Sequence, residues 1–130
     1  MFPRQGFPAF AGSQGGIVLV GGDVQGGLDP ARLLWRDPVA TAETLRVAEG
    51  AVIAADGTGE GGAGGDGGSI VLWSDARTEF AGLITARGGA AAGDGGFAEV
   101  SSAGVLAYDG FADLRAPAGA MGTLLLDPYD

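Results

Sequence analysis

One short phrase recurs along this chain: two glycines, or a Met-Gly pair, followed by four apolar-rich residues. It appears as Gly15-Gly16-Ile17-Val18-Leu19-Val20, Gly67-Gly68-Ser69-Ile70-Val71-Leu72, Gly95-Gly96-Phe97-Ala98-Glu99-Val100 and Met121-Gly122-Thr123-Leu124-Leu125-Leu126. The last three copies start 28 and 26 residues apart. A second phrase, pinned by Gly50, Gly82 and Gly110, recurs at 32 and 28 residues. Periods of this size, built from short strands and glycine turns, signal a solenoid. Helical repeats of similar length are excluded, because no segment keeps apolar residues three and four apart for long enough.

Stacking the first phrase gives two apolar columns. One holds Val18, Ile70, Ala98 and Leu124, and the other holds Val20, Leu72, Val100 and Leu126. Between them lie Leu19, Val71, Glu99 and Leu125, and Trp73 follows on the same side. This is the period of two expected of a strand with one face buried. The inward positions are therefore the core, and Val71 and Trp73 are expected to face outward. On that reading Leu72→Asp unfolds the block and Val71→Asp is tolerated. The second phrase adds Val52, Ile84 and Ala112, then Ala54, Ala86 and Leu114, to the inward set. It places Ile53, Thr85 and Asp113 outside. Phe80 and Tyr108 fall in register as an aromatic stack.

Columns of equivalent residues arise when parallel strands stack about 4.8 Å apart. The expected fold is all-β, a right-handed parallel β-helix of about four coils spanning residues 15–130, after a lead-in over 1–14. Gly16, Gly68, Gly82, Gly96, Gly110 and Gly122 take the corners, where the backbone needs positive φ or close approach. Residues 24–44 interrupt the pattern. There Asp29-Pro30 supplies an N-cap and a first-turn proline, and a loop or short helical insertion is expected to pack as a flap.

Composition narrows the chemistry. The 130 residues suffice for one small domain. Sixteen acidic residues against seven basic ones give a net charge of −9, which repels nucleic acid and anionic lipid. There is no cysteine and no histidine, so disulfides, thiolate nucleophiles and the commonest general base are absent. No stretch has the roughly 20 apolar residues of a membrane-spanning helix, so membrane insertion is not expected. Met1–Pro8 lacks the apolar region of a signal peptide.

Other motifs weaken on inspection. Gly57-Thr58-Gly59-Glu60-Gly61-Gly62 fits the dinucleotide fingerprint in letters but is followed by more glycine instead of a helix. The run from Gly61 to Ser69 approaches a calcium-binding nonapeptide once, leaving Asp66 as the one weak metal candidate. Asp109, Asp113 and Glu99 are the carboxylates available for glycosidase chemistry, but the stacking spreads them over different faces. Arg87 and Arg115 share an outward column, with Asp113 or Glu79 expected beside them. No catalytic residue and no cofactor are expected.

The ordered succession of these phrases resembles the filamentous haemagglutinin family of two-partner secretion exoproteins. The resemblance rests on Gly21-Gly22-Asp23-Val24-Gln25-Gly26, Gly67-Gly68-Ser69-Ile70-Val71-Leu72-Trp73-Ser74-Asp75, Phe80–Gly89, Gly93–Ser101 and Gly122–Pro128, and covers residues 15–130. It implies a β-helical segment of a large adhesin, secreted or displayed on the bacterial surface and exported through an outer-membrane transporter. It also implies a cell-surface receptor or glycan as partner, and no catalysis here. The family's signal peptide and secretion region are missing from this sequence, so an internal segment or fragment without its own export signal is expected. The alternatives are a fragment of a carbohydrate-active β-helix enzyme and a calcium-binding β-roll-like module.

Overall fold

The computed structural model describes residues 15–57, 65–90 and 92–128. The lead-in over 1–14 and positions 58–64 of the glycine-rich run lie outside the described residues. The chain is all-β, and its described residues form ten short strands in three parallel sheets. The first sheet runs β1 (Ile17–Val20), β4 (Ser69–Leu72), β7 (Phe97–Ser101) and β10 (Thr123–Asp127). The second runs β2 (Thr44–Val47), β5 (Arg77–Phe80) and β8 (Val105–Tyr108), and the third β3 (Val52–Ala54), β6 (Leu83–Thr85) and β9 (Phe111–Asp113). Each of the first three repeats thus supplies one strand to each sheet, and the second phrase divides into two strands where the chain turns at Gly82 and Gly110.

The first sheet keeps the expected register: Val18, Ile70, Ala98 and Leu124 are partners, as are Val20, Leu72, Val100 and Leu126. Ile70, Leu72, Ile84 and Val100 are fully buried, Leu114 nearly so, and Val18 and Val20 pack on them from the end of the stack. Leu124 and Leu126 face the same way but stay 38% and 41% exposed. The reason is geometric: β10 lies one level beyond β8 and β9, so among the described residues no second- or third-sheet strand closes over it.

The third sheet corrects the expected columns by one residue. Ile53 pairs with Ile84 and Ala112, while Val52 pairs with Leu83 and points outward, 60% exposed. Ala55, instead of Ala54, joins Ala86 and Leu114 in the core. The cause is a longer turn in the first repeat. Val47 pairs with Phe80 and Val52 with Leu83, so two extra residues lie between β2 and β3. Gly50, with φ of +90°, belongs to that extra turn, and Ala51 is the true counterpart of Gly82 and Gly110.

The corner glycines act through close approach, since none of the six has a positive φ. A Cβ on Gly68 would fall on the carbonyl oxygen of Gly16, one on Gly96 on that of Gly68, and one on Gly122 on that of Gly96. Only hydrogen fits where adjacent turns stack this tightly. Gly110 lies against the Phe80 ring and Gly82 against Val47 and the Ala51 carbonyl. Gly16, on the end of the column, faces open space.

Phe80 stacks on Tyr108 with centroids 5.3 Å apart and planes at 20°, worth about 1 kcal/mol beyond burial. Between the first and second sheets the interior turns polar. Ser74 Oγ lies 2.6 Å from Thr78 Oγ1 and donates to Ser102 Oγ at 3.0 Å, and Thr78 Oγ1 donates to the Ser101 carbonyl at 2.9 Å. These buried hydroxyls partner one another, which offsets their removal from water.

The outer face of the first sheet is also covered. Two 3-10 turns, Val24–Gly27 and Pro30–Arg32, form the flap expected over 24–44, with Asp29 Oδ1 accepting from Ala31 N at 3.0 Å. Val24 packs with Val71 and Trp73, so Val71 is fully buried and Trp73 nearly so, contrary to their expected exposure. Period two marks which face turns inward; it does not reveal a second cover on the other side.

Two outcomes check this packing. In denaturant titrations Val52→Asp changes stability by about 0.5 kcal/mol or less, whereas Val71→Asp costs about 3 kcal/mol or more by burying an unpaired charge. Gly96→Ala lowers the melting temperature sharply, because its methyl group would meet main-chain atoms, while Gly16→Ala leaves it nearly unchanged.

Candidate functional site

Polar and charged side chains gather beneath the flap and in an open corner cleft. Beneath the flap, Asp23 is buried and accepts three main-chain N–H bonds: from Val24 at 2.7 Å, Leu34 at 2.8 Å and Trp35 at 2.9 Å. One carboxylate thereby ties both ends of the flap together. Gly26, with φ of +76°, lies on the Trp73 indole, where a side chain would overlap the ring. Gln25, the single described non-glycine residue with positive φ, at 48°, donates its N–H to both Glu99 oxygens at 3.0 and 3.2 Å. Its side chain donates to Asp127 at 2.9 Å and accepts from Arg32 at 2.8 Å.

Glu99 is wholly buried, and that burial pushes its carboxyl above the usual value. The Gln25 N–H, Ser101 and Arg32 act against the rise, while the charge of Asp127 adds to it. Ser101 Oγ lowers the Glu99 carboxyl from nearby yet has no hydrogen-bond partner of proper geometry, alone among buried side-chain oxygens of the described residues. The arrangement fastens the flap to β7 and leaves no open approach to Glu99.

The corner cleft has a volume of about 720 Å³ and crosses three successive repeats. Gly57, Gly88 and Ala116 line it at equivalent positions, since Gly57 N donates to Arg87 O and Gly88 N to Arg115 O. The preceding residues are Asp56, Arg87 and Arg115, and they form a charged ladder. Arg87 donates to Asp56 through Nε at 3.3 Å, Nη2 at 3.2 Å and its main-chain N at 2.8 Å. Thr85 Oγ1 also donates to Asp56, at 3.1 Å. Part burial would raise Asp56, but these bonds hold it below the ordinary value. Arg115 donates through Nε and Nη2 to Asp113, both at 2.9 Å, which lowers Asp113 in turn.

Of the two anions expected beside the arginine column, Asp113 is there. Glu79 instead accepts from Arg77 at 2.6 Å, with Arg46 at 4.0 Å. Asp56 was hidden by the one-residue slip, which placed Ala55 opposite Arg87. The signal that reveals it is the length of the Val47–Val52 turn.

Asp66, the weak metal candidate, accepts from Asp94 N at 2.8 Å, and Asp94 in turn accepts from Ala120 N at 2.9 Å. This is a ladder of carboxylate caps from one repeat to the next. Among the described residues no group of three or more acidic side chains could hold a metal ion. Asp109, Asp113 and Glu99 are not brought together: Glu99 lies under the flap on β7, Asp113 pairs with Arg115 at the end of β9, and Asp109 sits in the turn after β8. Compared with known proteins, the chain matches no family model and no curated relative.

The raised Glu99 carboxyl makes a pH prediction. An acid whose folded pKa is raised favours the fold when protonated, so its contribution fades as pH rises from about 4.5 through the folded pKa. Asp56, Asp113 and Glu79 are lowered and titrate below that range. Melting temperatures measured between about pH 4.5 and pH 7.5 are therefore expected to fall with pH in the parent chain and to flatten in Glu99→Gln.

Proposed function

We propose that this chain is a block of a right-handed parallel β-helix of about four coils, serving as a rigid display segment of a large secreted or surface-exposed bacterial exoprotein. The observation that carries the reading is the strand order. Strands β1-β4-β7-β10, β2-β5-β8 and β3-β6-β9 form three parallel sheets, each visited once by each of the first three repeats. A solenoid of this kind buries a continuous core by stacking, and its outer surface is free to carry contacts along its length. The resemblance of residues 15–130 to filamentous haemagglutinins gives that surface an adhesive role toward a cell-surface receptor or glycan. It also gives the parent protein an outer-membrane transporter for export. The segment itself carries out no catalysis in this reading.

Two measurements test the proposal. A crystal structure is expected to find right-handed winding, and left-handed winding overturns the fold assignment. Beads coated with the chain are expected to be retained on cell surfaces several-fold above beads coated with an inert acidic protein. Equal retention overturns the adhesive role.

A further inference from the structure

The corner cleft has an imbalance of hydrogen-bonding capacity that points to a ligand. Asp56 accepts from Thr85 Oγ1 and from three nitrogens of Arg87, which occupies its lone pairs. Asp113 is likewise engaged by Arg115 N, Nε and Nη2. The guanidinium groups are not used up. Each has five N–H donors, and among the described residues Arg87 and Arg115 spend only Nε and Nη2 on these carboxylates. Nη1 of both remains without a partner there. The cleft therefore offers donors and asks for acceptors.

The two arginines occupy one column on successive repeats, and the charge of Arg115 already works against that of Arg87. An anion bridging them would relieve that repulsion and make charge-assisted bonds to both. The cleft, at about 720 Å³, is far larger than a single small anion needs and falls in the range of small-molecule sites. Its remaining lining includes Pro117 and Met121, apolar surface for the body of such a ligand.

An extended peptide would seek unpaired main-chain groups, but the N–H groups of Gly57 and Gly88 are already bonded to Arg87 O and Arg115 O. Nucleic acid is held by runs of cations along its phosphates, and the cations lining this cleft are Arg87 and Arg115. A carboxylate-bearing saccharide meets all of these conditions, with acid oxygens for the guanidiniums and C–H faces for Pro117 and Met121. We propose that the cleft between Asp56, Arg87 and Arg115 binds an acidic oligosaccharide lying along the stack of repeats, its carboxylate held between the two arginines. This gives the display role a ligand and rests on that reading only for its biological setting. Binding is measured on the free chain, so loss of the ligand and loss of adhesion are separate results.

The test is an amide-resolved NMR titration of the whole chain with trigalacturonate, its methyl ester and inorganic phosphate, at low and at physiological salt. Trigalacturonate is expected to shift the amides of Arg87, Gly88, Arg115 and Ala116. The methyl ester should bind at least about tenfold more weakly, through loss of a charge-assisted contact. Arg115→Gln, at an exposed position, is expected to weaken binding about tenfold with an unchanged circular dichroism spectrum, and Arg87→Gln to do the same if it folds. Equal binding of acid and ester, no shift at these amides, or undiminished binding by Arg115→Gln overturns the proposal. Phosphate saturating the same amides at the same concentration also overturns it, by reducing the cleft to a plain anion site.

Discussion

Everything in this structure depends on how closely one repeat can lie on the next. Parallel strands in three sheets require neighbouring backbones at hydrogen-bonding distance along their whole path, turns included. At the corner that opens the first sheet, each glycine rests on the carbonyl of its predecessor, from Gly16 through Gly68 and Gly96 to Gly122. A Cβ on Gly68, Gly96 or Gly122 would force the repeats apart, and the in-register columns of Ile70, Leu72 and Val100 would lose contact with their partners. Glycine at Gly68, Gly96 and Gly122 is thus a packing requirement of that corner.

The same spacing generates the polar features. Stacking carries each side chain onto its equivalent one level away, so charges at equivalent positions form ladders. Asp66 caps Asp94, which caps Ala120. Asp56, Arg87 and Arg115 line up beside the glycine-floored cleft, and like charges in one column are tolerated because Asp56 pairs with Arg87 and Asp113 with Arg115. A ligand cleft in such a fold is a property of the stack. No single repeat contains it.

The flap breaks the symmetry of the repeat. By folding over the outer face of the first sheet it turns positions with solvent-facing periodicity into a second small core of Val24, Val71 and Trp73. It also seals Glu99 into a site where the charged form is disfavoured. Holding it there takes a buried aspartate, a strained Gln25 and two acceptors on β7 and β10. Among the described residues the other two sheets carry no such cover, and Val52, Val105 and Phe111 are exposed on the outside.

The repeat, the inward columns of the first sheet, the Phe80–Tyr108 stack, the glycine corners and the Asp29-Pro30 turn were all legible in the residues. They follow from local periodicity and backbone sterics, which a linear string carries in full. The register of the third sheet was not legible. It turns on the length of one loop between β2 and β3, and alternating apolar residues fit either setting, Val52 or Ile53 inward. That one residue also separated Asp56 from Arg87 and concealed the cleft's third charged member. The burial of Val71, Trp73 and Glu99 was likewise decided only in three dimensions, because it depends on where a distant insertion lands. Sequence alone determined that this chain stacks and which residues its first sheet turns inward; tertiary contact decided what covers the outside and which charges meet there, since both depend on neighbours that periodicity does not encode.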